Sequence, residues 1–214
     1  VLTLRPRRRP AKGGGTRLRC SYQDAAGIDV PGRMLALAHQ FASHQYLFVG
    51  TLETRLRHNT WRVAAGYHVL TAAAESTGLY GVGLWINTAF EYIPGVRLGR
   101  GNVRALSHDS RHLLASVRAP ALCIDVLVAH APHSRIDHAV TAAWWKRIEG
   151  VVVSRPNPAP LYCLMDANAT VGSVVSSCVG PIGAETENST GSLLHEFMKA
   201  TRQAAVSAFT DPLY

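Results

Sequence analysis

Three clusters of polar residues each follow a short apolar run in this chain. Glu53 comes after "YLFVG", His130 follows "DVLVA", and Asp166 and Asn168 follow "LYCLM". Ligands of α/β proteins bind in the crevice outside the carboxyl ends of the strands. Asp and Asn are also turn formers, so a single cluster is explained equally well as the turn that ends a strand. Three strand ends converging on one crevice would form an active site.

The residue types suit chemistry on a phosphate ester. Glu53 and Asp166 form a hard-oxygen pair suited to Mg²⁺, which takes one or two carboxylates, substrate phosphate and several waters. Asn168 can donate an amide hydrogen to a phosphate oxygen. His130 can donate to the phosphate or transfer a proton. We therefore predict a Mg²⁺ site at Glu53 and Asp166, beside His130 and Asn168, in which Mn²⁺ could replace Mg²⁺.

The histidine-rich stretch "HAPHSRIDH", residues 130–138, offers a second interpretation. His130, His133, Asp137 and His138 could form a Zn²⁺ cluster, loosely like the HxHxDH pattern of metallo-β-lactamase-type hydrolases. That pattern needs histidines on alternate residues, whereas His130 and His133 are three residues apart, and no second group of ligands is evident. A Zn²⁺ hydrolase is therefore the less favoured alternative.

Apolar periodicity predicts the elements that would position these residues. Helical spacing occurs in three places, beginning near Pro31, near Ser134 with Asp137 at the capping-box position, and at Ser192. The predicted buried faces are Met34, Leu37, Ala38 and Phe41, then Ile136, Val140, Trp144 and Ile148, and then Leu193, Leu194, Phe197 and Met198.

Short apolar runs predict strands between these helices. They cover residues 46–50, 81–87, 112–119, 122–132 and 161–165, and residues 1–4 could be the tail of another strand. The two runs that flank Pro120 predict a hairpin. Strands that alternate with helices indicate one α/β layered domain, which we expect to span residues 1–214.

The net charge of +8 is concentrated near the first residue. Residues 1–19 hold seven of the 22 Lys and Arg and none of the 14 Asp and Glu, which leaves fifteen basic and fourteen acidic side chains elsewhere. The Arg run beside three glycines predicts a flexible basic loop, residues 5–19, that could bind nucleic-acid phosphates or act as a nuclear import signal. A solvated loop without a partner is the alternative.

The overall composition suits a globular domain. The chain has 214 residues and 47% hydrophobic content, and no apolar run of about eighteen residues predicts a membrane span. No apolar stretch follows the basic first residues, so we expect no signal peptide. The four cysteines are too scattered for a metal knuckle or a disulfide framework, which favours a reducing, intracellular compartment, and Cys123 and Cys163 are expected to be buried.

The polar clusters and their order resemble the endonuclease/exonuclease/phosphatase superfamily, whose fold is that of deoxyribonuclease I. The resemblance rests on Glu-Thr-Arg after one strand, "AHAP" after another and "DANATVG" some 36 residues past His130. It runs in the same order over nearly the whole chain, and "ENSTGSLLHEFMKATRQAAVSAF" is similar to a segment of non-LTR retrotransposon endonucleases. The resemblance implies a four-layer α/β/β/α sandwich of two packed sheets, trimmed at both ends.

The resemblance also implies roles for individual residues. Glu53 matches the metal-binding Glu of the family, His130 stands where relatives have Tyr or His, and Asp166 and Asn168 match the Asp and Asn of Gly-Asp-x-Asn. Asp166 would bind metal and orient or deprotonate a water that attacks phosphorus in line. With the basic loop, these matches predict a Mg²⁺-dependent endonuclease that nicks DNA as part of a larger retroelement-type polyprotein.

This chain departs from the family pattern in several places. Leu52 replaces the usual Gln, Met165 the usual Gly and Ala167 the usual aromatic residue or leucine. The family's strand-one Asn and its closing Ser-Asp-His motif have no counterpart among the 214 residues. A catalytically degenerate, nucleic-acid-binding remnant is therefore a second alternative.

Overall fold

The structure, a computed structural model, describes residues 2–6, with their backbone only, and residues 19–183, 185–205 and 209. The predicted basic loop, residues 5–19, lies mostly outside the described residues. Arg5 and Pro6 do not belong to that loop, because they lie in a strand that extends the predicted one, Leu2–Pro6. No helix in the described part of the chain is long and apolar enough to cross a bilayer.

The described residues form helices and strands in an alternating order. The helices are α1 (Arg33–Ser43), α2 (His138–Val153) and α3 (Ser189–Thr201), with a 3₁₀ turn at Arg100–Asn102. The strands are β1 (Leu2–Pro6), β2 (Cys20–Asp24), β3 (Phe48–Leu52), β4 (Thr60–Ala64), β5 (Tyr67–Ala72), β6 (Val82–Asn87), β7 (Glu91–Ile93), β8 (Val96–Arg97), β9 (Val103–Asp109), β10 (His112–Ala119), β11 (Leu122–His130), β12 (Leu161–Asp166) and β13 (Gln203–Ala205).

Most of these strands belong to two sheets. One has the order β13-β1-β12-β11-β10-β9, and the other has the order β2-β3-β6-β5-β4. β11 runs parallel to β12 in the first sheet, and β2 runs parallel to β3 in the second. Each of these pairs therefore brings two carboxyl ends to the same edge of its sheet.

A hydrophobic core lies between the two sheets. Leu84 and Leu52 from one sheet and Val126 and Leu164 from the other are fully or almost fully buried in it. The sheets approach closely at Gly50, where a Cβ atom would lie 3.0 Å from Cβ of Leu164. A side chain at this position would push the sheets apart close to their polar edge, which explains the glycine in "YLFVG".

Helices cover the outer face of each sheet. Phe41 of α1 packs edge-on against Trp85 of the five-stranded sheet, with 5.2 Å between ring centroids. Trp145 of α2 and Phe197 of α3 pack together over the six-stranded sheet, at 5.3 Å between ring centroids. The predicted four-layer α/β/β/α sandwich is therefore confirmed.

The predicted start of the second helix was wrong, and its predicted buried face was right for Trp144 and Ile148 but wrong for Ile136 and Val140. α2 begins at His138, after the N-cap Asp137, whose carboxylate accepts hydrogen bonds from the two backbone N–H groups that follow His138. Ile136 precedes the helix, and Val140 is 57% exposed. Residues four apart drift around a helix of 3.6 residues per turn, so a strict spacing of four does not stay on one face. The buried residues are Thr141, Trp144, Trp145, Ile148 and Val152.

Other elements follow the sequence pattern more closely. The 112–119/122–132 hairpin is confirmed as β10 and β11, and the buried face of α1 contains Leu37, Ala38 and Phe41 as predicted. Strands β2, β4, β5 and β9 were not predicted, because polar residues interrupt their apolar alternation. Cys163 is buried, but Cys123 is exposed, contrary to the prediction.

Candidate active site

His130 and Asp166 end two neighbouring parallel strands and are register partners. The register of β11 and β12 pairs Ala129 with Met165 and then His130 with Asp166. The backbone contact continues beyond the strands, because N–H of Ala131 donates to the carbonyl oxygen of Asp166 at 2.9 Å. Two residues that are 36 positions apart in the chain thus lie side by side at one edge of the six-stranded sheet.

Glu53 reaches the same place from the other sheet. It follows β3, and its Oε1 lies 3.7 Å from Nδ1 of His130. Its own backbone has a φ of 55°, a conformation that non-glycine residues seldom adopt. Hydrogen bonds hold this turn, since N–H of Gly27 donates to the carbonyl oxygen of Glu53 and N–H of Thr54 donates to that of Gly81. Backbone hydrogen bonds to the loops at Gly27 and Gly81 thus hold the turn that carries Glu53.

Asn168 holds together the turns that follow β11 and β12. Its backbone N–H donates to Oδ1 of Asp166 at 2.9 Å, and its side-chain Nδ2 donates to the carbonyl oxygen of Ala131 at 2.8 Å. Its φ of 46° again lies in the left-handed region. The amide keeps one further N–H, so the predicted hydrogen bond to a phosphate oxygen competes with no contact in the described residues.

His130 is held by backbone contacts and by an aromatic neighbour. Its N–H donates to the carbonyl oxygen of Arg111 at 2.9 Å, and Nη1 of Arg111 donates to the carbonyl oxygen of His130 at 3.3 Å. The guanidinium of Arg111 also lies over the ring of Tyr80, 3.5 Å from its centroid. The Tyr80 ring in turn packs edge-on against His130 at 5.9 Å. Arg111 and Tyr80 thus fix the orientation of His130.

The His130 imidazole has an unused nitrogen in an acidic environment. Burial lowers the pKa of His130, although the carboxylates of Asp166, Glu53 and Asp24 act in the opposite direction. No side chain or backbone group of the described residues makes a hydrogen bond with Nδ1. A buried polar atom without a partner is rare in folded proteins and points to a ligand.

Asp24, Arg111 and Tyr80 are contributors that the sequence did not identify. Asp24 ends β2, which runs parallel to β3, so it is a further acid at a carboxyl strand end. Its position was detectable in principle, but the polar run "CSYQD" does not look like a strand. Arg111 and Tyr80 lie in loops and carry no local signal of their contact with His130.

The alternative Zn²⁺ cluster is not formed. Nδ1 of His133 accepts a hydrogen bond from N–H of Arg135, and the carboxylate of Asp137 caps α2. Across residues 19–183 and 185–205, no three His, Cys, Asp or Glu side chains are grouped as a metal-binding cluster. The hydrogen bonds of His133 and Asp137 thus disfavour the alternative of a Zn²⁺ centre at residues 130–138. A two-carboxylate Mg²⁺ site needs no such cluster, because waters and substrate complete its coordination.

Comparisons with known proteins identify similar structures but no similar sequence family. No family model and no curated protein matches the chain. An AP endonuclease from Archaeoglobus fulgidus has a similar structure, with a TM-score of 0.57 and 15% identity over 86% of this chain and 70% of that one. The AP endonuclease LMAP from Leishmania major has a TM-score of 0.57 and 11% identity, over 86% of this chain and 66% of that one.

A retroelement endonuclease is similar as well. The endonuclease domain of TRAS1, a telomere-specific non-LTR retrotransposon, has a TM-score of 0.52 and 14% identity, over 86% of this chain and 71% of that one. At identities this low, the similarity establishes a shared fold and nothing finer.

Proposed function

We propose that this chain, which has the deoxyribonuclease I-like fold of the endonuclease/exonuclease/phosphatase superfamily, is a Mg²⁺-dependent phosphodiesterase that nicks DNA. The observation that carries the proposal is the meeting of Glu53 with His130, the register partner of Asp166, at the edge shared by the two sheets. Solved proteins with this fold include AP endonucleases and a retrotransposon endonuclease.

The residues at this edge fit a divalent cation. Oε1 of Glu53 lies 3.7 Å from the imidazole of His130, and Asp166 is the register partner of His130, so both carboxylates are carried at one edge of the fold. Glu53 and Asp166 would hold Mg²⁺, which binds oxygen ligands and keeps several waters. When bound, the ion would neutralise charge on the phosphate and on the oxygen that leaves. Mn²⁺ has the same ligand preference and should substitute for it.

The protein's own groups would perform the remaining tasks. Asp166 would accept a proton from the water that attacks phosphorus, as the P–O bond to the leaving oxygen breaks on the opposite side. His130 would donate a hydrogen bond to a non-bridging phosphate oxygen, and the second amide hydrogen of Asn168 would do the same. Arg111 would position His130 through the two backbone contacts described above.

Charge and fold together favour DNA as the substrate. Residues 1–19 carry seven basic and no acidic side chains, which suits a phosphate backbone. The similarity to the TRAS1 endonuclease domain favours a role within a larger retroelement-type polyprotein. We also propose that the basic run acts as a nuclear import signal.

The test is the nicking of supercoiled DNA by the unsubstituted protein, the parent, and by single variants. We expect Asp166→Asn and Glu53→Gln each to reduce Mg²⁺-dependent nicking by at least about 100-fold, because single catalytic groups commonly contribute that much. Glu149→Gln, an acid of α2 that pairs with Lys146, is the matched control and should keep full activity. Near-parental nicking by either variant at saturating Mg²⁺ would remove that residue from the site.

The same nicking assay, together with a measurement of DNA binding, tests the alternative that the chain is a catalytically degenerate remnant. If the parent binds DNA tightly but no divalent ion supports nicking, the fold serves nucleic-acid binding alone. The Asp166→Asn variant would then bind DNA and behave like the parent in every respect.

A further inference from the structure

A second cleft lies at the opposite end of β12 from Asp166. It has a volume of about 580 Å³, and its lining includes Arg155, Leu161, Ser177, Lys199, Arg202 and Gln203. Leu161 begins β12 and Asp166 ends it, so at roughly 3.3 Å per residue the two ends are about 16 Å apart. The cleft is therefore separate from the acidic edge.

The charge of this cleft is positive. Behind it, the fully buried carboxylate of Asp125 pairs with Arg155 at 2.8 Å and with Arg118 at 3.0 Å. Two arginines share one carboxylate, so one positive charge remains. Lys199 and Arg202 add two more, and no acidic side chain in the described ranges pairs with either. An anion would gain from charges that the fold leaves uncompensated.

A buried acceptor at the cleft points to a second feature of the ligand. Gln203 is 3% exposed, and its Nε2 donates to the carbonyl oxygen of Thr201 at 3.1 Å. Its Oε1 is buried and accepts no hydrogen bond from any described residue. Leaving a buried acceptor unpaired is costly, so a ligand with an N–H or O–H donor would be favoured here.

The size and the wall of the cleft favour a ligand larger than a single ion. A volume of about 580 Å³ is in the range of small-molecule sites and far exceeds one phosphate group. Pro160, which is partly exposed, supplies an apolar part of the wall beside the buried Ala159 and Leu161, against which a flat ring could pack. A ligand for this cleft thus combines an anionic group, a hydrogen-bond donor and an apolar ring.

We propose that the cleft binds a nucleoside monophosphate. Lys199 and Arg202 hold the phosphate, with the hydroxyl of Ser177 as a further donor. Gln203 accepts a hydrogen bond from the base or the ribose, and the base packs against the wall at Pro160. This binding is independent of the phosphodiesterase activity, because no residue at the acidic edge takes part.

The experiment is calorimetric titration of the full chain with AMP, dAMP, adenosine and inorganic phosphate. AMP or dAMP should bind at least about 10-fold more tightly than adenosine or phosphate alone. Lys199→Gln/Arg202→Gln, two exposed positions, should weaken nucleotide binding by at least about 10-fold, since charge-assisted contacts to phosphate are lost. Gln203→Met removes the acceptor at similar volume and should weaken it about threefold or more. The control Arg104→Gln/Lys146→Gln makes the same charge change at exposed sites outside the cleft and should bind like the parent.

The outcomes separate this proposal from the phosphodiesterase. Asp166→Asn should bind AMP with unchanged affinity even though its nicking is lost. Absence of binding at millimolar AMP, equal binding of phosphate alone, or unchanged binding by Lys199→Gln/Arg202→Gln would each overturn the proposal. Loss of binding in Asp166→Asn would also overturn it, because the nucleotide would then lie at the acidic edge.

Discussion

Two histidines, His130 and His195, face a glutamate in very different surroundings. His195 lies on α3 and is 3% exposed, with Nε2 at 2.7 Å from Oγ of Ser176 and Nδ1 at 3.1 Å from Oε2 of Glu187. His130 lies at a strand end, 3.7 Å from Oε1 of Glu53, and its Nδ1 has no hydrogen-bond partner in the described residues. One imidazole is saturated by the fold, and the other retains an unused nitrogen.

This difference separates a structural histidine from a candidate catalytic one. Ser176, His195 and Glu187 have the order of a serine hydrolase triad, but Oγ of Ser176 accepts hydrogen bonds from N–H of Cys178 and Val179. Its hydroxyl hydrogen is therefore directed to His195, and the trio fastens the loop before α3 to that helix. Residue types and their spacing alone would make this trio as good a candidate active site as the site at His130. The two differ because the ring nitrogens of His195 both have hydrogen-bond partners, whereas Nδ1 of His130 has none in the described residues.

The largest effect that would sharpen the comparison is expected at His130. His130→Ala should reduce nicking by about 100-fold, the size typical of one lost proton donor, with an unchanged melting temperature. His130→Tyr should retain measurable Mg²⁺-dependent nicking, because a phenol can also donate to the phosphate. The assay is nicking of supercoiled DNA by the parent and both variants, with bound metal quantified. Stoichiometric Zn²⁺ in the parent that both variants lose would refute the role of His130 as a phosphate donor.

The converse effect is expected at His195. His195→Ala should lower the free energy of unfolding by about 2–4 kcal/mol, because the partly buried Glu187 and Ser176 lose their shared partner. Nicking below the new unfolding temperature should change less than about threefold. Urea denaturation measures the first quantity, with the exposed His39→Ala as control. A stable but inactive His195→Ala variant would break the comparison, since His195 would then belong to the chemistry.

Asp109, the carboxylate beside a third histidine, His112, makes the stability of the fold depend on pH. Burial acts to raise the pKa of Asp109, but His112, Arg147 and the N–H of Arg111 outweigh it and hold that pKa well below its usual value of 3.8. A depressed carboxylate pKa stabilises the fold above the unfolded value, and this contribution is lost as the pH falls below about 4.

Asp109→Asn should therefore reduce stability at pH 7 by about 1–2 kcal/mol and flatten the loss of stability between about pH 4 and pH 2. Urea titrations across this range measure both effects. Equal slopes for the parent and the variant would show that Asp109 does not carry the acid sensitivity.

The smallest effect on the folded domain is expected for the basic run. Replacement of Arg7, Arg8, Arg9 and Lys12 by Gln should weaken DNA binding and reduce the salt dependence of log K by up to about 4, since each phosphate contact contributes about 0.9. The melting temperature should not change, and neither should the contacts of His130 and His195 within the fold. An unaltered salt slope would show that this run does not contact DNA.

Much of the fold was predictable because its signals are local. The 112–119/122–132 hairpin, the face of α1 and the strand before Asp166 follow from apolar periodicity in short windows. The resemblance to the deoxyribonuclease I-like superfamily rested on four short motifs, and the fold that it implied is confirmed. The start of α2 was wrong because Ser134 and Asp137 can both cap a helix, and Asp137 is the residue that accepts the capping hydrogen bonds.

The sequence by itself determined which residue types end the strands: Glu53, His130, and Asp166 with Asn168. The tertiary structure decided what these residues face. The β11–β12 register sets His130 beside Asp166, and the packing of the two sheets brings Oε1 of Glu53 to 3.7 Å from Nδ1 of His130. It also decided that His195 is saturated and that Lys199 and Gln203 share a cleft with Arg155. The physical reason is that strand ends follow from local periodicity, whereas hydrogen-bond saturation and charge balance depend on groups brought together by long-range packing.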